Sequence, residues 1–374
     1  MHAEEAGAVA GPGAVAGAAT TVSGGDDESG PGVGISGSAT RQATIYDVAE
    51  AAGVSHQTVS RFLRGFEGIR PQTKQRVVEA LERLNYRPNL AARSLTTGQS
   101  HRLGALTHEI SQVGPSKILQ GASAAAREAG YLLDIVTLDV SDRRSIDEAL
   151  ELVMQHDLAG VLALASTDEM TEAFEGTDFR VPAYIAAEQD DARGGHPSHL
   201  TTVGLPSLIE HLASLGHRKF IHIAGPFTYS AARNRARAYE AAIAQQGLHS
   251  EGIVYGDWTA SSGYEELGRR LPHLGATAVV AANDQMALGA MLALSESGIS
   301  VPDDVSVTGI DDIPEAAYFS PPLTTLRVDF AAQGRTAVQE LLGLINRTEP
   351  LRGPALPSEL VPRRSTGRMR GPQS

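Results

Sequence analysis

The chain is 374 residues long with no cysteine and a net charge of −13. That length predicts two or three units, the missing cysteines exclude disulfide scaffolds and cysteine-ligated zinc and suit a reducing cytosol, and no apolar run approaches membrane-spanning length, so a soluble protein is expected. The charge is unevenly held: residues 1–40 carry five acids and no Lys or Arg, residues 41–98 carry nine Lys/Arg against five acids for a net +4, and the remainder is −12. A basic segment on an acidic body confines attraction for phosphate to one end of the molecule.

Residues 1–40 are rich in Gly, Ala, Ser and Val without apolar periodicity, which predicts a disordered extension. They lack the basic start and apolar core of a secretory signal. A different pattern begins at Thr44 with TIYDVAEAAGVSHQTVSRFL. Thr44 followed by Asp47 is a capping-box pattern, and Val48, Ala51 and Ala52 give the helix after it an apolar face. Gly53 ends that helix, Val54 buries into the turn, and Ser55 caps a second one. In the second helix Val59 and Leu63 share one face, leaving His56, Gln57, Ser60, Arg61 and Arg64 outward. Two short helices joined by a Gly-containing turn, the second polar at its start, form a helix-turn-helix whose second helix fits the DNA major groove. Pro71 then opens a third helix with Val77, Val78, Leu81 and Leu84 as its buried stripe.

After these helices comes YRPNLAARSLTTGQS. Three helices followed by N-x-x-A-x-x-L resemble the headpiece and hinge of the lac repressor/galactose repressor family of transcriptional regulators. The resemblance implies a DNA-binding domain over residues 44–87, with Thr44, Ser55, His56, Gln57, Thr58, Ser60 and Arg61 at the DNA. It also implies a hinge over residues 88–100, in which Leu95 wedges into the minor groove and Asn89, Ala92 and Arg93 line the same groove. Such wedges unstack a base step and bend the duplex.

From Arg102 onward short β-rich runs alternate with helical ones: RLGALTHEI, SKILQGASAAAREAG, YLLDIVTLD, SIDEALELVMQH and GVLALAS form one series. A second series runs through TTVG, LPSLIEHLASLG, KFIHIAG, NRARAYEAAIAQQG, TAVVAAND, QMALGAMLALSESG and DVSVTGIDD. Buried strands between amphipathic helices make parallel α/β sheets, and two series make two lobes with a cleft between them. Open α/β sheets bind ligands beyond the carboxyl ends of their strands. Those positions are polar here: Glu109 to Ser116, Ala187 to Asp191, Pro226 to Arg235, Asn283 with Asp284, and Asp311 with Asp312. Amides, carboxylates and arginines at five strand ends suit a polyhydroxylated ligand.

Two stretches, ANDQMALGAM and GIDDIPEAAYFSPPLTTLRVDF, carry the resemblance into the body, so that it covers roughly residues 44–340. It implies a two-lobed α/β domain of the periplasmic-binding-protein type over residues 101–345, following the α-helical headpiece. Asn283 and Asp311 would bond sugar hydroxyls and Arg233 would anchor the ligand. Trp258 would be an aromatic platform and Phe330 would close the pocket, with Pro115, Ser116 and Glu188 along the same rim. There are departures. The family's aspartate near Ala187 is absent, with Glu188, Asp190 and Asp191 nearby; Gln112 and Val113 replace an apolar residue and a histidine; Ala238 stands for a glycine. These leave the identity of the sugar open; His56 replaces an aromatic residue and Arg64 an asparagine, so operator preference should differ from that of relatives. Residues 346–374 read as a Pro- and Arg-rich tail without the leucine heptads of a tetramerising helix, which leaves a homodimer as the expected state.

The implied function is a cytoplasmic, sequence-specific transcriptional repressor released from double-stranded operator DNA by a galactoside-like sugar. Another sugar, a nucleoside, or a sugar-dependent activator or corepressor mode is the alternative. A periplasmic sugar receptor predicts an export signal and no headpiece. A glycoside hydrolase needs two carboxyls flanking one bond, and neighbours such as Asp311 and Asp312 point to opposite sides. No catalytic residue, cofactor or metal site is expected, and no membrane partner.

Overall fold

The structure, a computed structural model, describes residues 43–63, 65–86, 100–108, 110–139, 143–188, 204–350 and 358–369. The proposed extension (1–40) and the hinge residues Asn89, Ala92, Arg93 and Leu95 lie outside these. The chain divides into two compact units, Met1–Pro88 and Asn89–Ser374.

The first unit is three helices: α1 (Ile45–Ala52), α2 (His56–Leu63) and α3 (Pro71–Arg83). The capping box forms as the residues predict: the Thr44 backbone N–H donates to Asp47 Oδ2 at 2.7 Å, and Asp47 N–H donates to Thr44 Oγ1 at 3.4 Å. Gly53 leaves α1 at φ 61°, the left-handed conformation that favours glycine. Val48, Ala49, Ala52, Val59, Val77 and Ala80 form the core, with Leu81 and Leu84 packed at its edge.

The second unit has two parallel sheets. The first lobe orders β2 (Leu132–Leu138), β1 (Arg102–His108), β3 (Gly160–Ala165) and β4 (Ala183–Ala187) side by side. Helices α4 (Val113–Glu128), α5 (Arg143–Met154) and α6 (Asp168–Glu175) connect them. In the second lobe, β5 (Lys219–Ala224), β6 (His249–Tyr255), β7 (Ala278–Ala281), β8 (Ser306–Asp311), β9 (Thr324–Arg327) and β10 (Glu359–Val361) are ordered 10-9-8-7-5-6. Its helices are α7 (Leu205–Ser214), α8 (Ser230–Gln245), α9 (Ala260–Arg270) and α10 (Asp284–Glu296). Strands β3 and β8 are buried along their whole length, as parallel strands covered on both faces must be. Helix α7 shows the energetic logic: Leu205, Leu208, Ile209 and Leu212, at i, i+3, i+4 and i+7, have no exposed surface. Each such side chain contributes roughly 1.5–3 kcal/mol of burial before entropy is counted.

Two boundaries differ from the sequence reading. Helix α8 starts at Ser230, four residues before the NRARAYEAAIAQQG run, because Ala232, Arg233 and Asn234 are buried rather than looped. The expected tail does not begin at 346: Glu359–Val361 pairs antiparallel with β9, and Ser365 is fully buried, its Oγ donating to Val307 O at 2.6 Å. Helix α11 (Phe330–Asn346) crosses back to pack on α4 of the first lobe. At that crossing a Cβ on Gly121 would lie 2.0 Å from Ala331 O and one on Gly334 1.9 Å from Ile118 O, so the two backbones touch. No helix among the described residues is long and apolar enough to cross a membrane.

Candidate functional site

On the headpiece, α2 presents Ser55, His56, Gln57 and Arg61 to solvent, with Thr58 and Ser60 half-buried and Val59 turned into the core. Ser55 Oγ accepts from Thr58 N–H at 3.2 Å and lies 2.9 Å from Thr58 Oγ1, so this pair fastens the helix start. Thr44 is similarly committed to its capping box. The His56 ring lies tilted against exposed Tyr46 at 5.1 Å, and the Arg61 guanidinium lies 5.7 Å from the Phe66 ring. Among the described residues the outward polar face therefore centres on His56, Gln57 and Arg61, with His56 against the first helix and Arg61 against the turn after the second.

In the second unit the carboxyl ends of both sheets face one another across a cleft. Asp311, ending β8, is 6% exposed at φ 119°, and its Oδ1 has no hydrogen-bond partner among the described residues. Burial pushes its carboxyl up to about 6 against the opposing charges of Arg235 and Lys117. Arg235 Nη2 stands 3.9 Å from Asp311 Oδ1, its Nη1 donates to Ala282 O, and its Cζ lies 5.5 Å from the Trp258 ring centroid. The indole lies on Gly225, where a Cβ would come within 2.2 Å of Trp258 Cζ2; only glycine allows that seat. Asn283 caps α10, accepting from Met286 N–H at 2.8 Å and donating to Trp258 O at 2.9 Å, so it fixes the platform's backbone.

Arg233, expected as the anchor, does not reach Asp311. The fork of Arg233 is spent on Asp168 of the first lobe, whose carboxylate oxygens accept from Nη2 at 2.8 and 3.0 Å, and on Phe227 O at 2.7 Å. Residues two apart on a helix point to nearly opposite sides, so Arg235, not Arg233, meets Asp311. The phase of the helix shows in Tyr239, buried four residues beyond Arg235 on the same side. Further links join the lobes, among them Tyr229 Oη with His108 Nε2 at 3.0 Å and Asn234 Nδ2 donating to Glu188 Oε1 at 3.2 Å. Glu188 thus reaches the cleft as a bridge. Pro115 and Ser116 lie in the first turn of α4, half-buried, and the neighbouring Gly114 sits against the buried Phe330 ring.

Asp168 was not among the residues expected at the site, and Arg235 and Asp284 were expected only as polar strand-end positions, without a role of their own. Asp284 is buried, accepts from Ile313 N–H at 2.9 Å and Thr325 Oγ1 at 2.5 Å, and braces the loop that carries Asp311. Burial and the Asp311 charge raise its carboxyl to about 8. Asp312 turns away to Arg363 at 2.6 Å and Arg327 at 2.8 Å; burial opposes its ionisation, but these two cations outweigh that and hold it below the ordinary range. Asp311 and Asp312 therefore do not flank one bond. No group of three His, Cys, Asp or Glu residues among the described ones could hold a metal ion.

Comparison with known proteins agrees with both halves. Residues 44–89 match the model of bacterial regulatory proteins of the lacI family, and residues 209–366 match a periplasmic binding protein-like domain. The lactose operon repressor of Escherichia coli K12 is 33% identical over 325 residues, covering 86% of this chain and 90% of that protein. The ribose operon repressor of the same strain is 31% identical over 312 residues, covering 82% and 94%. The crystal structure of the lac repressor dimer bound to operator and the anti-inducer ONPF superimposes with a TM-score of 0.75 at 32% identity, covering 87% of this chain and 100% of that one. A DNA-reading headpiece and a two-lobed ligand-binding body in this order make the chain a member of the lacI family of bacterial regulatory proteins, a DNA-binding transcriptional repressor.

Proposed function

We propose that a galactoside-like sugar bound between the lobes releases this repressor from its operator. The observation that carries the reading is the pairing of Asp311 and Arg235: a buried carboxylate oxygen without a partner, 3.9 Å from a guanidinium, beside an indole face. A sugar hydroxyl accepts from Arg235 and donates to Asp311 at once, while the apolar face of the ring lies on Trp258. A plain apolar ligand would leave both polar groups unanswered. In the headpiece, Gln57 and Arg61 read base edges, with His56 beside them, and Leu95 of the hinge wedges the minor groove. The protein binds DNA as a homodimer: Leu288 and Leu292, four apart on the outer face of α10, are 41% and 51% exposed, an apolar strip that a second copy would cover.

Gel-shift titrations on DNA flanking its own gene, repeated with a panel of galactosides, other sugars and nucleosides, test this. Release by a galactoside at concentrations where the others fail is the expected result. Release by a nucleoside or another sugar alone would favour the alternative effector, and tighter binding with ligand would make the sugar a corepressor.

A further inference from the structure

His222 is a costly residue where it stands. It lies on β5, between β6 and β7, with no exposed surface, and the ladder with β6 shifts register beside it. Burial drives its imidazole down to about 4, so the ring is neutral. Nδ1 lies 2.7 Å from Val280 O, which only accepts, so Nδ1 carries the proton and Nε2 is a bare acceptor. Nε2 has no hydrogen-bond partner among the described residues. The ring stacks on Tyr239 at 4.9 Å and 16°. Tyr239 stands one turn beyond Arg235 on the same side of α8. Arg235 is 4% exposed, and its Nε–H likewise has no partner among the described residues. The Arg235 charge is also among the causes that lower the His222 imidazole. An aliphatic side chain would fill a strand interior without leaving a bare acceptor beside a bare donor.

We propose that His222 is a positioning residue for the effector site, its Nε2 holding the Nε–H of Arg235 through one buried water, with Tyr239 fixing the plane of the ring. The inference rests on Arg235 as the effector anchor. It assigns His222, a position behind the cleft, a part in aiming the guanidinium between Asp311 and Trp258.

Trp258 is the only tryptophan, and Arg235 lies over its ring, so acrylamide quenching of its fluorescence reports the guanidinium's place without any effector. Asn retains a donor for Val280 but nothing at Nε2, whereas Gln reaches the Nε2 position. His222→Asn and His222→Leu should each change the quenching constant about two-fold, because the cation no longer covers the ring face. His222→Gln should stay at the wild-type value, and neither His222→Asn nor His222→Leu should have any effect in an Arg235→Lys background. Should the Leu variant unfold in a thermal melt, the Asn and Gln pair decides alone. Unchanged quenching in His222→Asn, or an equal change in the Arg235→Lys background, overturns the proposal. Calorimetry with methyl β-galactoside reads the anchor separately: wild-type binding by Arg235→Lys would remove Arg235 from the effector site while leaving the quenching result to decide His222.

Discussion

Asp311 combines a strained backbone, φ 119°, with a buried carboxylate oxygen that has no partner among the described residues, and both costs concentrate where the effector is proposed to bind. Its carboxyl is raised to about 6, above the ordinary value near 3.9, so its contribution to stability is complete below about pH 4 and is lost as pH rises through about 6. That loss is roughly 3 kcal/mol between pH 4 and pH 7. Asp311→Asn removes it: the variant should melt higher than wild type at pH 7.5, the two should converge near pH 4, and effector release should disappear. Equal melting differences at both values would show that the ionised carboxylate is not the source of strain. Gly225 makes a second residue-scale case. Gly225→Ala places a methyl 2.2 Å from the Trp258 ring, so the indole must leave its seat. Galactoside affinity should fall at least ten-fold with operator affinity unchanged, measured by calorimetry and gel shift.

At the scale of elements, the start of α8 is a second place, beside the α4–α11 crossing, where the two lobes meet. Tyr229, Arg233 and Asn234 each bond the first lobe, through His108, Asp168 and Glu188, and Tyr229 adds a backbone bridge to Thr167. Asp168 is 42% exposed, so its pairing with Arg233 is worth no more than about 1 kcal/mol of stability. Its weight lies in lobe spacing. Asp168→Ala should leave the melting temperature within a few degrees of wild type while increasing amide exchange in the first turn of α8 and enlarging the ligand-free radius of gyration. No change in either would mean that the remaining bridges suffice. Helix α2 follows the same division between holding and contacting: the Ser55 and Thr58 hydroxyls fasten it, leaving Gln57 and Arg61 outward. Gln57→Ala and Arg61→Ala should each cost roughly 1–3 kcal/mol of discrimination between operator and mutated sites, read by competition gel shift.

Across the whole molecule, residues 41–98 carry net +4 within a chain of net −13. Phosphate attraction belongs to the headpiece, and the acidic body repels nucleic acid elsewhere. Arg70, exposed at the start of α3 and not placed at a base edge, serves as the test of that division. Arg70→Ala should reduce the slope of log affinity against log salt by about 1 and weaken all DNA sequences alike. A change in sequence preference would move Arg70 into the reading face. Dimerisation through the Leu288 and Leu292 strip would place two headpieces on one operator and double the slope expected of a single headpiece.

Much of this protein is local and therefore legible in one dimension. The Thr44 cap, the Gly53 turn and the i, i+3, i+4, i+7 run of α7 are short-range devices whose signals lie within a few residues. Strand ends follow from the alternation of strand and helix, which is why Asp311, Asn283 and Glu188 could be picked out as strand-end residues, whereas Trp258 came from the family resemblance alone. Helix phase decided the rest. Arg233 and Arg235 are indistinguishable in ARNRARAY, and only packing of Tyr239 on His222 turns Arg235 inward and sends Arg233 across to Asp168. Asp168 itself is unmarked in STDEM, and its role comes from a helix in the other lobe, 65 positions away in the chain. The return of residues 358–369 to the second sheet is likewise invisible locally, since a three-residue strand has no periodicity and is specified by its pairing with β9. The sequence by itself determined elements, lobes and the chemistry of the strand ends; tertiary structure decided which charges face each other, because partners distant along the chain are set by packing rather than by spacing.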